Sequence, residues 1–191
     1  SFLSPGFEQL AGYSVSSAGD VDGDGLSDVL IGMPGYYYDG GAALWPGSSV
    51  RSGGSFEVEH ADWYRIGESM DDMYGVSVSS AGDVDGDGLD DLLIGADRNG
   101  ENGSAAGKTY LYLGASINSG GACIPCYNGC PCLYQGDADA TFVGENADDN
   151  SGYAVSSAGD VDGDGLDDLI IGAWGNDDGD SDAGKSYLFL G

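Results

Sequence analysis

The chain has 191 residues, of which 41% are hydrophobic, and it carries 33 acidic against 5 basic side chains for a formal net charge of −28. This size suits one domain or a short repeat array. The charge argues against nucleic acid as a partner, because nucleic-acid binding needs clustered Lys and Arg to displace counterions. No apolar run reaches the roughly 18 residues of a membrane-spanning helix, so no membrane span is predicted.

The first predicted unit of the chain contains four strands. Residues 12–19 alternate apolar with small polar side chains, which indicates a strand with one buried face. Residues 29–32 form a short apolar run that is typical of a strand buried on both faces. Residues 41–47 and 63–67 predict a third and a fourth strand. No segment has helical periodicity, so we expect no helices.

An acidic loop joins the first two predicted strands. It reads DVDGDGLSDV from Asp20 and has carboxylates at positions 1, 3, 5 and 9, with Gly at positions 4 and 6. Such a loop suits a hard cation, which needs several oxygens at about 2.3–2.6 Å on a backbone that turns sharply. Four carboxylates this close repel one another strongly unless a cation lies between them. The pattern therefore predicts a Ca²⁺ site.

The loop and its strands occur three times. The sequence DVDGDGLDDL begins at Asp83 and again at Asp160, so successive loops are 63 and 77 residues apart. The strand patterns recur at matching positions, which are 75–82, 92–95, 107–114 and 141–144 in the second unit and 152–159, 169–172 and 184–191 in the third. Four strands repeated at this period indicate a β-propeller or a related array of blades, with three Ca²⁺ sites.

These repeats resemble the FG-GAP blades of integrin alpha subunits and of many secreted microbial proteins. The resemblance covers nearly the whole chain, and its most specific part is the D-x-D-G-D-G-x-x-D loop followed by an apolar strand and Gly. It implies an all-β fold of three four-stranded blades. The ligands that it implies are the side chains of Asp20, Asp22, Asp24, Asp28, Asp83, Asp85, Asp87, Asp91, Asp160, Asp162, Asp164 and Asp168, with the carbonyls of Leu26, Leu89 and Leu166.

Two other interpretations of the acidic loops can be compared with this one. An EF-hand begins with the same residues, but it needs a bidentate Glu at position 12 and a helix on either side. Position 12 is Ile31, Ile94 or Ile171, inside an apolar run, which excludes the EF-hand. A solvated acidic turn without a metal is the remaining alternative.

Alignment of the units within residues 1–191 predicts blade 1 at 4–67, blade 2 at 68–144 with an insert at 122–133, and blade 3 at 145–191. Blade 3 lacks its fourth strand, and residues 1–3 read as a fourth-strand remnant. Three blades are too few to close a ring, and an open array leaves unpaired strand edges. We therefore expect strand exchange with other copies, head to tail, in a ring or a filament. The alternative is a piece of a longer propeller.

Four cysteines lie within ten residues of the predicted insert, at Cys123, Cys126, Cys130 and Cys132. Their even number favours an oxidising extracellular setting and two local disulfides, with three pairings possible. A zinc site formed by all four thiolates is the alternative, although ligand pairs in structural zinc sites are usually separated by a longer stretch.

Several other polar groups are candidates for a role. Asn102 begins an N-glycosylation sequon in a Gly-rich loop. The acidic cluster at 177–182 either holds a further cation or is a polar loop. The pairs at 71–72 and 148–149 read as solvated turn residues. His60 is the only histidine, and no nucleophile–base set accompanies it, so no enzyme is predicted.

The sequence thus predicts an extracellular protein, secreted or on the cell surface, in which Ca²⁺ stabilises a structural or adhesive repeat array. The expected partners are other copies of the chain and glycans or cell-surface proteins. The alternatives are a lectin-like glycan- or protein-binding module, with aromatic side chains near the strand ends as its contacts, and a piece of a larger secreted propeller protein.

Overall fold

The computed structural model describes residues 10–35, 39–54, 61–119, 138–181 and 183–191. These residues form three antiparallel sheets of four, four and three strands, and none of the sheets closes on itself. The all-β fold of blade-type sheets predicted from the sequence is confirmed.

Each sheet is a simple meander in which consecutive strands are neighbours. We call these sheets blades 1, 2 and 3. Blade 1 contains β1 (Ser14–Gly19), β2 (Asp28–Met33), β3 (Gly41–Trp45) and β4 (Trp63–Ile66). Blade 2 contains β5 (Ser77–Gly82), β6 (Asp91–Ala96), β7 (Lys108–Tyr112) and β8 (Ala140–Val143). Blade 3 contains β9 (Ser151–Gly159), β10 (Asp168–Ala173) and β11 (Lys185–Phe189), with β10 in the centre.

Two short helices follow the third strands of blades 1 and 2, so the expectation of no helices is wrong. They are α1 (Gly47–Val50) and α2 (Gly114–Ser119). Each begins at a Gly whose N–H donates to a buried carboxylate of the same blade, Gly47 to Asp28 at 2.7 Å and Gly114 to Asp91 at 2.8 Å. Helices of four and six residues are too short to produce a detectable hydrophobic period.

Two of the three apolar clusters in the described residues lie between successive blades. Leu30 and Leu44 of blade 1 pack with Leu92 and Ile94 of blade 2. A second cluster joins Leu93 and Leu111 of blade 2 to Leu169 of blade 3. The blades are therefore held together mainly by the side chains that alternate along their central strands.

The central strands differ in how completely they are buried. Every residue of β6 is buried, as expected for a strand covered on both faces. In β10, by contrast, Ile170 is 39% exposed, although its counterparts Leu30 and Leu93 are fully buried. The predicted burial on both faces is wrong for β10, because no further sheet in the described residues covers that side of blade 3.

Polar contacts in the turns between blades correct a third expectation. Asp72 and Asp149 are 4% and 2% exposed, so they are not solvated turn residues. Asp72 accepts a hydrogen bond from Nδ2 of Asn99 at 2.7 Å, and Asp149 accepts the equivalent bond from Asn176 at 3.1 Å. Each buried carboxylate thus ties the turn that enters a blade to the turn that leaves the second strand of that blade.

Candidate metal centre

The three acidic loops occupy the same place in each blade, between its first and second strands. We call residues 20–28 loop 1, residues 83–91 loop 2 and residues 160–168 loop 3. The Gly residues at positions 4 and 6 adopt positive φ angles in all three loops, for example 76° at Gly23 and 84° at Gly25. This left-handed backbone is readily open to Gly, and it folds the acidic side chains toward one point.

Three carboxylates converge in each loop. Their ligand atoms lie within 4.8 Å of one another. Oxygens on opposite sides of a Ca²⁺ ion lie about 4.6–5.2 Å apart, since each is about 2.3–2.6 Å from the ion. The donor set and its dimensions therefore fit a hard divalent cation. The groups are Asp20, Asp22 and Asp24 in loop 1, Asp83, Asp85 and Asp91 in loop 2, and Asp160, Asp162 and Asp168 in loop 3.

The carboxylate at position 1 of each loop is held in place by a backbone hydrogen bond. Oδ2 of Asp20 accepts a hydrogen bond from the N–H of Gly25 at 2.9 Å, and Asp83 and Asp160 accept the same bond from Gly88 and Gly165. Oδ1 of Asp20 is buried and accepts no hydrogen bond from the described residues. A buried carboxylate oxygen without a donor is costly unless a cation compensates it.

Some predicted ligands fall outside these groups. Asp28 is not among the converging side chains of loop 1, and Asp87 and Asp164 are not among those of loops 2 and 3. Oδ1 of Asp87 instead accepts a hydrogen bond from the N–H of Leu89 at 2.8 Å, and the same bond recurs at position 5 of the other loops. The carbonyls of Leu26, Leu89 and Leu166 stay predicted ligands.

The carboxylate at position 9 has a structural role that the sequence analysis missed. Asp91 is fully buried, and its two oxygens accept hydrogen bonds from the N–H groups of Val84 at 2.9 Å and Gly114 at 2.8 Å. Asp28 and Asp168 make the same pair of bonds in their own blades. Position 9 thereby joins the loop to the end of the third strand. The recurrence of Gly after each third strand is the only signal in the sequence that points to this contact.

Burial changes the acidity of position 9. It raises the pKa of Asp91 to about 6, although the two backbone hydrogen bonds act in the opposite direction. The pKa of Asp28 is raised for the same first reason. A cation beside these groups would favour the charged form and oppose the effect of burial.

The structure describes two of the other candidate sites, the sequon at Asn102 and most of the acidic cluster at 177–182. Asn102 is exposed, but its Nδ2, the atom that a glycan would modify, donates to the carbonyls of Gly144 at 3.0 Å and Glu145 at 2.7 Å. In the acidic cluster at 177–182, Asp178 is engaged by Lys185 at 2.7 Å. Cys123, Cys126, Cys130 and Cys132, as well as His60 and residues 1–3, lie outside the described residues.

The aromatic residues near the strand ends differ in exposure. Trp45, Trp63 and Tyr64 are buried at 3–5% exposure. Trp174 is 53% exposed and Tyr153 is 50% exposed, and their rings meet edge to face at 6.2 Å. Blade 3 is therefore the part of the described chain where a large aromatic pair faces solvent.

Repeated antiparallel meanders of three or four strands, with an acidic, glycine-containing loop after the first strand, define an array of β-blades. A family model described as FG-GAP repeat matches residues 11–45, 74–112 and 151–189. The chain belongs to the FG-GAP repeat family, as the sequence predicted.

The chain is also similar to curated integrin alpha chains. It is 30% identical to integrin alpha-PS2 of Drosophila melanogaster over 176 residues, which are 87% of this chain and 12% of the relative. It is 29% identical to integrin alpha-V of Gallus gallus over 180 residues, 89% of this chain and 16% of the relative. For integrin alpha-5 of Xenopus laevis the identity is 30% over 190 residues, with 89% and 15% covered. The chain thus spans less than one fifth of the length of these relatives.

These relatives are cell-surface proteins, and they confirm the extracellular or cell-surface localisation predicted from the sequence. In the described ranges, no helix is long and apolar enough to cross a membrane.

Proposed function

We propose that this protein is a calcium-binding, non-catalytic repeat module of extracellular structure or adhesion. The observation that carries the proposal is the convergence of three carboxylates within 4.8 Å in each of three equivalent loops. Bound Ca²⁺ neutralises these carboxylates and holds their oxygens around one point. Each loop would then keep the first and second strands of its blade in register, because the loop residues continue directly into both strands.

The expected contribution of calcium to stability is large. A ligand that binds only the folded state adds about 2.7 kcal/mol per site at a hundredfold excess over Kd. Three such sites would contribute an amount comparable to the net stability of an ordinary domain. The relation of the FG-GAP family to integrin alpha chains supports calcium as the ion and adhesion as the role.

We propose further that copies of the chain associate head to tail. Blade 3 presents an apolar face, in which Val161 and Leu190 are each 57% exposed and Leu188 is 49% exposed. The residues of blade 2 equivalent to Val161 and Leu188 are Val84 and Leu111, which are buried against blade 3, and Leu113, the equivalent of Leu190, is partly buried against the same cluster. The face of blade 3 thus has the composition of an inter-blade surface, and among the described strands β11 pairs only with β10, which leaves its other edge unpaired there.

A second candidate function is recognition of a glycan or a protein at the same end of the chain. A groove of about 380 Å³ on blade 3 is lined by Tyr153, Trp174, Lys185 and the backbone around Gly172 and Gly184. Exposed aromatic rings beside polar groups suit sugar stacking. The third possibility is that the chain is part of a larger secreted propeller, in which a further blade would cover this groove. A glycan array read with the native chain and with Trp174→Ala separates recognition from both other roles.

The test of the calcium proposal is thermal unfolding and light scattering of the native chain with CaCl₂ or with excess EDTA. We expect EDTA to lower the melting temperature by more than about 10 °C, since each kcal/mol corresponds to about 2–4 °C at this size. We also expect the assembled species to dissociate. An unchanged melting temperature and an unchanged mass in EDTA would contradict the proposal.

A further inference from the structure

The metal loops of neighbouring blades contact each other through position 8, which is not a predicted ligand. In loop 2 this residue is Asp90. The N–H of Asp20, the first ligand residue of loop 1, donates to Oδ2 of Asp90 at 2.6 Å. In return, the N–H of Asp90 donates to the carbonyl of Asp20 at 3.2 Å. Both backbone groups of Asp20 are therefore held by one residue of the next blade.

The same pair of bonds joins loops 2 and 3. The N–H of Asp83 donates to Oδ2 of Asp167 at 3.0 Å, and the N–H of Asp167 donates to the carbonyl of Asp83 at 3.0 Å. A carboxylate acceptor makes each contact a charge-assisted hydrogen bond, which is stronger than a bond between neutral groups. The contact occurs independently at two equivalent positions, which indicates that it is a specific feature of the fold and not a chance contact.

The residue before each first ligand makes room for this contact. Gly19 and Gly82 have φ angles of 78° and 77°, and a Cβ added to either would overlap the carboxylate of Asp90 or Asp167. The counterpart in blade 3, Gly159, has no heavy atom within 4 Å of a Cβ built there. Glycine at this position is thus used for the close approach in loops 1 and 2.

A second contact follows the same direction along the array. Cδ2 of Leu89 lies 3.1 Å from a Cβ built on Gly23 of loop 1, and Cδ2 of Leu166 lies 3.0 Å from the equivalent point on Gly86 of loop 2. Leu89 and Leu166 immediately precede Asp90 and Asp167. Loops 1 and 2 are therefore each supported at positions 1 and 4 by positions 7 and 8 of the loop that follows.

We propose that Asp90 and Asp167 are positioning residues that complete the metal site of the preceding blade and couple calcium binding along the array. The proposal rests on the proposed calcium function. With the backbone of the first ligand already fixed, less conformational freedom is lost when the ion binds, and affinity rises. By linkage, an ion in loop 1 favours the docked position of blade 2, and an ion in loop 2 favours that of blade 3.

The chain contains its own control for this idea. Position 8 of loop 1 is Ser27, which is exposed and lacks a carboxylate. Loop 3, in turn, is followed by no further loop in the part of the chain that the structure describes, so Asp160 has no counterpart of Asp90 there. Loops 1 and 2 are thus supported, and loop 3 is not. We expect loop 3 to bind Ca²⁺ more weakly than the other two.

The test is a CaCl₂ titration of the ¹⁵N-labelled chain followed by NMR. The amides of Gly25, Gly88 and Gly165 report loops 1, 2 and 3 separately, because each donates to the first ligand of its own loop. We expect Asp90→Ser to weaken binding at loop 1 about fivefold or more, the lower end of typical coupling between sites, with little change at loop 2. Asp167→Ser should weaken loop 2 in the same way. Ser27→Ala is the matched control and should change none of the three.

The alternative explanation is that Asp90 and Asp167 act only by their charge on the ion of their own loop. In that case Asp90→Ser weakens loop 2 most, or all loops alike, and the coupling proposal is overturned. Asp90→Asn and Asp167→Asn keep an acceptor oxygen but lose its charge, so they should weaken the preceding loop less than the Ser variants do. If the Ser variants do not fold, the Asn variants decide: a loss of affinity confined to the preceding loop supports the coupling, and a loss at their own loop, at all loops alike or at none overturns it. The proposed calcium function is tested separately, on the native chain. If none of the three Gly amides responds to CaCl₂ there, the proposed function is contradicted, whatever the variants show.

Discussion

Nζ of Lys108 lies 3.1 and 3.0 Å from the two carboxylate oxygens of Glu68, which follows the last strand of the preceding blade. Burial alone would lower the pKa of Lys108, but its hydrogen bonds to Glu101 and Glu68 outweigh burial and raise the pKa above its ordinary value. The arrangement recurs one blade later, where Lys185 binds Glu145 at 2.6 Å and Asp178 at 2.7 Å. A lysine at the start of the third strand thus joins each of blades 2 and 3 to the blade before it.

The two lysines differ in burial, and this predicts unequal effects of substitution. The side chain of Lys108 is 7% exposed, whereas that of Lys185 is 34% exposed. We expect Lys108→Ala to lower the free energy of unfolding by about 3 kcal/mol, because it leaves Glu68 with an uncompensated and partly buried charge. Lys185→Ala should cost much less, as is usual for an exposed ion pair. Urea unfolding in saturating CaCl₂ measures both, and equal losses would contradict the distinction.

The structural role of position 9 predicts a loss of stability that does not depend on calcium. Asp91→Ala would leave the buried N–H groups of Val84 and Gly114 without their acceptor. We expect a loss of about 2–4 kcal/mol in excess EDTA, since each unsatisfied buried group costs about 1–3 kcal/mol.

The matched control for this experiment is Asp87→Ala, which removes an exposed carboxylate from the same loop. In EDTA it should cost less than about 1 kcal/mol, as is usual for a surface substitution. If both variants are as stable as the native chain in EDTA and differ from it only in CaCl₂, the carboxylate at position 9 acts only as a ligand of the ion, and the structural role is contradicted.

The buried carboxyl of Asp97 predicts a pH dependence outside the metal loops. Asp97 is 6% exposed, its Oδ1 has no hydrogen-bond partner in the described chain, and burial raises its pKa. Because the folded pKa exceeds the unfolded one, the folded chain binds this proton more tightly. Stability from this group is therefore present below the unfolded pKa and falls as the pH rises through the folded pKa.

We therefore expect Asp97→Asn to be more stable than the native chain at pH 7, with the difference shrinking as the pH is lowered toward about 4. Measuring the difference between the two proteins cancels the titration of groups that they share. A difference that is constant over this range would contradict the assigned pKa direction.

The apolar face of blade 3 predicts a specific effect on association. Ile170→Lys adds a charge to this face at a residue that is already 39% exposed. We expect it to convert assembled material into single chains with little loss of stability, because the side chain lies at the surface of the isolated chain. Light scattering in CaCl₂ measures the mass. Met70→Lys, at a residue that is 74% exposed on the connection between blades 1 and 2, is the control and should leave the mass unchanged.

The strands and the metal loops could be predicted because their signals are local. Alternating side chains specify β1, β5 and β9, and Asp and Gly spacings within ten residues specify the loops. The repetition of both patterns then gave the number of blades. The same local logic assigned position 9 to the ion, although Asp91 also binds a backbone N–H 23 residues further along the chain.

Contacts between distant segments could not be predicted from such patterns. Asp72 and Asp149 read as solvated turn residues because Asn99 and Asn176, their partners, lie 27 residues away. The Asp90 contact with loop 1 joins residues 70 apart. In each case the same residue type recurs at equivalent positions of blades 2 and 3. The sequence shows this recurrence, but only the three-dimensional structure shows which residues are in contact.

The most direct measurement is a crystal structure of the chain grown in CaCl₂. We predict one ion in each loop, with carboxylate oxygens of the first ligands Asp20, Asp83 and Asp160 at about 2.3–2.6 Å from it. Well-ordered loops that hold only water under millimolar CaCl₂, or ions bound elsewhere on the acidic surface while the loops stay empty, would contradict the account.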